Sequence, residues 1–306
     1  MNNKVMLEQA QAIKFSWPQL HQKLKLNLSG ESGRDNFIED IRWIEKTIEK
    51  LVNENADACL FVLVQMLHEK NLSYSASHAL LCATLCKVMS KYTEHSPEEL
   101  SSLCQAALTM NIGMSSLHDQ LAHQKSEITA TQTASITNHS EIGWQLLRSK
   151  GVQDEKWLQI VRNHHLDLEQ AMHTSTHMLQ LADIYVGSIS PRSTRPGLLP
   201  RQGALRIYKG EEGKHNSLGP AFVKSIGIYI PGSYVKLTNG EISIVIKRGS
   251  NIHTPKVVSL IGIRGAPIKD PLLRDTSEPN FEIKEAIPTH KVRIRNNWEY
   301  LLNKFF

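Results

Sequence analysis

Residues 227–246 read Gly-Ile-Tyr-Ile-Pro-Gly-Ser-Tyr-Val-Lys-Leu-Thr-Asn-Gly-Glu-Ile-Ser-Ile-Val-Ile, and in this stretch the spacing of apolar residues changes from the helical to the strand period. Tyr234 and Leu237 lie before Asn239-Gly240, and Ile242, Ile244 and Ile246 alternate after it. Asn-Gly between alternating apolar runs is the pair most favourable to a tight type I′ hairpin, in which both central residues take positive φ. Toward the C-terminus, Val257, Val258, Leu260 and Ile261 predict a third strand and residues 281–286 a fourth. A small antiparallel sheet or partial barrel is expected there.

Toward the N-terminus the pattern is helical. Two short helices are expected over 200–209 and 217–226, behind a stretch punctuated by Pro191, Pro196 and Pro200. Phe37, Ile38, Ile41, Trp43, Ile44, Ile48 and Leu51 recur at three- and four-residue intervals and predict a helix over 35–70. Ala76, Leu80, Leu81, Leu85 and Val88 do the same for 73–92. Ser96-Pro97-Glu98-Glu99 reads as an N-cap, a Pro at the first helical position and a first turn of acids, opening a helix to about Asn111. Further helices are expected over 127–149, 154–165 and 174–188, whereas residues 1–34 are less regular and end in Ser29, Gly30, Ser32 and Gly33, a linker composition. The fold class is mainly α, a helical bundle with a small C-terminal antiparallel β extension. The chain divides by character into an N-terminal helical region (1–70), a helical domain (71–210) and the extension (211–306).

Composition narrows the function classes. At 306 residues, 41% hydrophobic and 21% charged, the chain has globular proportions and is neither collagen-like nor low-complexity. No run reaches the roughly 20 apolar residues of a membrane helix, and the opening MNNKVMLEQAQ has no apolar signal core. Four cysteines without a C-x-x-C pair suit a reduced cytoplasm better than a disulfide scaffold. The net charge of +5 is uneven: 16 basic against 21 acidic residues up to Pro191, 19 against 9 beyond it. These basic residues are scattered and lack an aromatic-rich strand face, so nucleic acid is not the expected partner.

Fourteen histidines invite a search for metal-ligand spacing. His21, His95, His118, His123, His215, His253 and His290 stand in polar or loop-like surroundings. A second set lies on expected helices: His78, His139, the pair His164-His165, and Asp183. Imidazoles and a carboxylate contributed by several helices are what a metal site in a bundle requires, because each helix offers only one or two inward side chains.

The order of these residues resembles that of the HD-GYP family, the HD-superfamily branch of bacterial cyclic di-GMP phosphodiesterases. The resemblance runs over about residues 73–265: His78, then Ala106-Ala107-Leu108-Thr109-Met110-Asn111-Ile112-Gly113-Met114, then His139-x-x-x-Gly143, His164-His165 and Ala182-Asp183. Behind them, Ser190-Pro191-Arg192 with Arg195-Pro196, and the 227–241 segment, are similar to the extension "G-I-Y-P-P-G-x-x-V-x-L-x-N-G-E" that follows many such domains. The resemblance implies an HD-domain-like bundle, divalent metal ligands at His78, His139, His164, His165 and Asp183, and phosphate contacts from Arg192 or Arg195.

The departures are concentrated. Where the family has L-L-H-D-I-G-K, this chain has Met110, Asn111 and Met114 in place of His, Asp and Lys. After the His pair the family has H-H-E-x-x-D-G-x-G-Y-P, and this chain has Leu166-Asp167-Leu168-Glu169-Gln170. In the family the Asp bridges two metal ions, a task for which a neutral amide with one weak oxygen donor is poorly suited. Loss of the Lys also removes a cation that would offset phosphate charge. The expected function is therefore a degenerate HD-GYP-like signalling or regulatory protein, lacking cyclic di-GMP phosphodiesterase activity and acting through a cyclic dinucleotide or a signalling protein partner. No catalytic residue is assigned. The alternative is a metal-dependent phosphohydrolase using one divalent transition metal (iron, manganese or zinc) at the residual histidines. Both readings stay open here, as does a polar cavity in which these histidines are hydrogen-bonded without metal.

Overall fold

The change of period is where helices give way to strands. A computed structural model describes residues 3–30, 36–166, 173–210, 217–292, 294 and 297–306, with the backbone alone for residues 3–12 and 15. The helices before the strands are α1 (Asn3–Ser29), α2 (Phe37–Met66), α3 (Tyr74–Met89), α4 (Pro97–Thr109), α5 (Ser115–His123), α6 (Ala130–Ser149), α7 (Glu155–Asn163), α8 (Thr174–Ile189), α9 (Pro200–Lys209) and α10 (Gly219–Ile226). Strands β1 (Tyr234–Leu237), β2 (Ile242–Lys247), β3 (Lys256–Ile261), β4 (Pro267–Asp275) and β5 (Ile283–Ile287) then form one antiparallel sheet in the order β4-β3-β2-β1-β5, and α11 (Trp298–Phe305) follows. The fold is mainly α with a small C-terminal antiparallel sheet. Among the described residues no helix is long and apolar enough to cross a membrane.

Local chemistry sets the helix ends. Ser96 accepts from the Glu99 backbone while Glu99 reaches back to the Ser96 backbone, a capping box that opens α4. Thr129 and Gln132 repeat it at α6, and Asp154 accepts from the Trp157 backbone at 3.0 Å to open α7. Helix α3 starts at Ser73, whose hydroxyl donates to the Asp119 carboxylate at 2.9 Å, and that carboxylate also accepts from the Ser75 backbone at 2.7 Å. Helix α2 kinks at Asn55, where φ −158° and ψ 90° are extended, and the Asn55 side chain accepts from the Ala58 backbone at 3.0 Å as a cap for the second half.

That kink matters for the division of the chain into two compact units. Residues 17–52 and 66–197 form the helical unit, in which α3, buried along its whole length, packs on α4, α5 and α8, and α7 packs on α4 and α6. Residues 1–16, 53–65 and 198–306 form the other. The units interleave along the chain, so their limits do not follow the sequence-order segments 1–70, 71–210 and 211–306.

In the sheet-containing unit, Val235, Leu237, Val245 and Val257 make the apolar core, with Tyr229, Phe281 and Ile283 packed against it. Gly232, at φ 96°, lies so close to the second half of α2 that a Cβ would stand 2.8 Å from the Val64 Cβ, and the Gln65 amide donates to the Gly232 carbonyl at 2.8 Å. Glu241 is buried, accepting from Arg274 through both Nε and Nη2 at 2.9 Å and from the Ser259 hydroxyl at 2.7 Å. These bonds outweigh its burial and hold its pKa at about 2.

Several expectations need correction. The hairpin turn is not a two-residue type I′: the Gly240 N–H bonds the Leu237 carbonyl at 3.0 Å and the Leu237 N–H bonds the Glu241 carbonyl at 2.9 Å. Residues 238–240 thus form a three-residue loop with Gly240 at φ 93° closing it. Strand β4 was not expected, because Pro267 and Pro271 interrupt its pattern and most of it is solvent-facing; Pro is confined to edges of sheets, and β4 is an edge. Helix α1 runs through Pro18 where an irregular segment was expected, and α5 and α11 are short helices without long apolar repeats. The linker residues Ser32 and Gly33, the replaced loop at 167–170 and His215 lie outside the described residues.

Candidate metal centre

The site is built within the helical unit. His139 sits midway along α6, whose approach to the 3-10 turn Ile112–Met114 is set by two glycines. A Cβ on Gly113 would stand 2.4 Å from the His139 carbonyl oxygen and 2.8 Å from the Gly143 backbone nitrogen, so only glycine fits there. The retained Ile112-Gly113 and His139-x-x-x-Gly143 are two sides of this contact. His164 caps the C-terminus of α7, and His165 follows it with ring centroids 4.1 Å apart. The next residue, Leu166, is tied to α8 by the Gln180 amide, which donates to its carbonyl at 2.5 Å.

Three imidazoles therefore meet. His139 Nε2 lies 3.2 Å from His164 Nε2 and 3.2 Å from His165 Nε2. His139 and His164 are buried, and His165 is exposed and opens the group to solvent. The tautomers follow from the backbone: His139 Nδ1 lies 2.5 Å from the Ile136 carbonyl and His164 Nδ1 2.6 Å from the Val161 carbonyl. A carbonyl only accepts, so both Nδ1 atoms carry the proton and both Nε2 atoms present lone pairs. Burial lowers both pKa values, that of His164 to about 3 with further help from His165. Two neutral acceptors pressed together are poor partners for each other and good ones for a cation. Bonds of about 2.0–2.1 Å at tetrahedral angles put ligand nitrogens roughly 3.3–3.4 Å apart, close to the 3.2 Å that separates His139 Nε2 from each of the other two. The donor set fits one divalent ion, with backbone carbonyls orienting the rings as in established histidine–metal sites.

A second group lies beside it. His78, on α3, bonds Asp183 of α8 at 2.8 Å, and Cys82, one turn further along α3, completes a set with donor atoms within 4.8 Å of one another. Burial would raise Asp183, but the His78 hydrogen bond and charge, with His164 and His165 beyond, hold its carboxyl well below the usual range. His118, expected in loop-like surroundings, is instead buried on α5, its ring centroid 5.1 Å from that of His78 and 4.6 Å from that of Tyr74. Burial, then His78, pushes its pKa well down. His21 is likewise buried, its Nε2 3.1 Å from the Ser73 carbonyl. His118 and Cys82 were missed in the sequence; the signal for Cys82 was its i, i+4 spacing from His78, which places both on one helix face.

Met110, Asn111 and Met114 fall at the α4 end. Met110 is fully buried at the C-cap of α4, Asn111 is buried at the turn that follows, and Met114 is half-buried. Neighbouring Thr109 accepts from the Trp157 indole at 2.7 Å, anchoring that end to α7. The two arginines differ in engagement. Arg195 donates to the Gly187 carbonyl at 2.8 Å and the Ser188 carbonyl at 3.4 Å, capping the end of α8. Arg192 lies over the Tyr74 ring at 5.9 Å, and its Nε is buried without a hydrogen-bond partner among the described residues. Tyr74, Ser77, Lys70, Lys125, His123 and Arg192 line a cleft of about 490 Å³.

No family model matches the sequence. Over 195 residues it is 20% identical to the cyclic di-GMP phosphodiesterase PA4108 of Pseudomonas aeruginosa, a match covering 60% of this chain and 47% of that protein. The chain thus spans about half the length of the curated relative it matches. Among solved structures it is similar to Bd1817, a HDG"Y"P protein from Bdellovibrio bacteriovorus, with a TM-score of 0.51, 17% identity, and coverage of 67% of this chain and 69% of the other. At that identity the likeness is one of fold.

Proposed function

We propose that this chain, HD-GYP-like in sequence and fold, is a regulatory member of the phosphodiesterase family that holds one divalent ion on His139, His164 and His165 and binds a cyclic dinucleotide beside it without hydrolysing it. The observation that carries this reading is the approach of His164 Nε2 and His165 Nε2 to 3.2 Å from His139 Nε2, set against a sequence that has Asn111 where a bridging carboxylate would be needed. An ion bound there would supply Lewis acidity and offset phosphate charge. The chain's own contribution is electrostatic. Arg192, with its unpartnered Nε, and Lys70 and Lys125 give the cleft a cationic lining suited to phosphate oxygens, while Tyr74 offers an aromatic edge. Asp183, held ionised by His78, is a weak base and a poor acceptor for a catalytic proton.

The test is calorimetric binding of cyclic di-GMP to the metal-supplemented protein, alongside chromatography for hydrolysis products. Binding that weakens with salt, falls at least tenfold in Arg192→Ala with metal content unchanged, and yields no linear dinucleotide supports the reading. Chelator-sensitive hydrolysis would overturn it.

The three-imidazole set itself favours a second reading, a single-ion phosphohydrolase acting on another phosphoester. Metal-dependent turnover of any member of a phosphomonoester and phosphodiester panel, lost in His164→Ala, would establish it.

A further inference from the structure

We infer that Cys82 is a metal ligand, and that with His78 and Asp183 it forms a second cation site, chemically distinct from the imidazole trio and selective for a thiophilic ion such as zinc. The two sites share no donor. His78 and Cys82 are four residues apart on α3 and face Asp183 of α8, with all three donor atoms within 4.8 Å of one another. His78 is 2% exposed and Cys82 fully buried, while Asp183 lies at the margin. His78 Nε2 faces the carboxylate at 2.8 Å, and its Nδ1 is buried with no hydrogen-bond partner among the described residues.

A nitrogen, a sulfur and a carboxylate oxygen from two packed helices match the donor classes that zinc takes, and three protein ligands leave a fourth position for a water or a ligand oxygen. Sulfur separates this site from the trio, because thiolate donors select zinc-like ions where imidazoles alone accept iron, manganese or zinc. Binding forms a sulfur–metal bond and releases the thiol proton to solvent. Cys86, one turn further along α3, is also buried but lies outside the group.

The closing experiment is titration of the full chain with cobalt(II), followed by absorption spectroscopy. Expected are visible ligand-field bands and a near-ultraviolet thiolate-to-cobalt charge-transfer band. Cys82→Ser and Cys82→Ala lose the charge-transfer band and keep ligand-field absorption from the trio. Cys86→Ser keeps both. His164→Ala weakens the visible bands but leaves the charge-transfer band, so failure of the trio and failure of this site are told apart. Zinc stoichiometry should fall from about two ions per chain to about one in either Cys82 variant. Absence of a charge-transfer band in the unaltered chain, or its persistence in a folded Cys82 variant, overturns the inference.

Discussion

In the sheet, Glu241 accepts two bonds from Arg274 and one from Ser259, and Ser243 and Ser259 are linked across β2 and β3 at 2.9 Å. Among the helices, His139 and His164 turn their donors to backbone carbonyls and their lone pairs to each other. Both clusters bury polar side chains, which costs free energy unless each finds a partner. The sheet cluster is complete within the chain. In the helical cluster the His139 and His164 Nε2 atoms face each other as two acceptors, and that surplus is the mark of a group shaped for something the chain does not itself supply.

The contrast can be broken most directly at Glu241. Glu241→Gln leaves Arg274 facing a neutral amide and should lower stability by about 3 kcal/mol, read from denaturant unfolding. The acid limb sharpens it: a carboxyl at about 2 when folded, against the ordinary 4.5, contributes fully above the ordinary value and loses that contribution as pH falls from 4.5 toward 2. The unaltered chain should weaken across that window and Glu241→Gln should show a flatter profile there. A pH dependence identical in both would break the assignment.

Metal acts on the other side of the comparison. Adding zinc or manganese at a hundredfold excess over its Kd should stabilise the folded chain by about 2.7 kcal/mol per site, seen as a rise in Tm. His164→Ala should reduce that rise, whereas Glu241→Gln should preserve it. A smaller effect tests the alignment of the turn at Met110 and Asn111. Met110→His with Asn111→Asp should raise bound metal by element analysis if these positions face the histidines; destabilisation of about 1–3 kcal/mol per buried group without added metal would refute it. The smallest change is expected at Gly240→Val, about 1 kcal/mol for a branched residue forced to φ 93°, with metal content untouched.

What the sequence made legible follows from how local each signal is. The Ser96/Glu99 capping box, the Ser73 start of α3 and the alternation of Ile242, Ile244 and Ile246 are decided within a few residues, and they stand in the structure as read. Strand β4 depends on pairing with β3, not on its own pattern, and its prolines hid it. The Asn239 turn shows the limit of dipeptide rules: its side chain accepts from the Glu241 backbone at 3.0 Å, favouring the longer loop. At the site, the order of His78, His139, His164, His165 and Asp183 was visible, but which nitrogens face one another depends on the carbonyls of Ile136 and Val161. His118 looked peripheral because nothing in its short helix tells that its ring meets that of His78 edge-on.

The prolines of β4 also bear on the behaviour of the protein at high concentration. An edge strand presents unpaired backbone groups to any other strand that arrives, and β4 carries exposed Leu272 and Leu273 that would reward such an encounter. Pro267 and Pro271 remove two N–H groups from its nine residues, and Lys269 and Asp270 put charge beside them. The feature that disguised this strand in the sequence thus serves as a guard against self-association. Pro271→Val, which restores a donor and adds β propensity, should turn a well-behaved solution into one that scatters light.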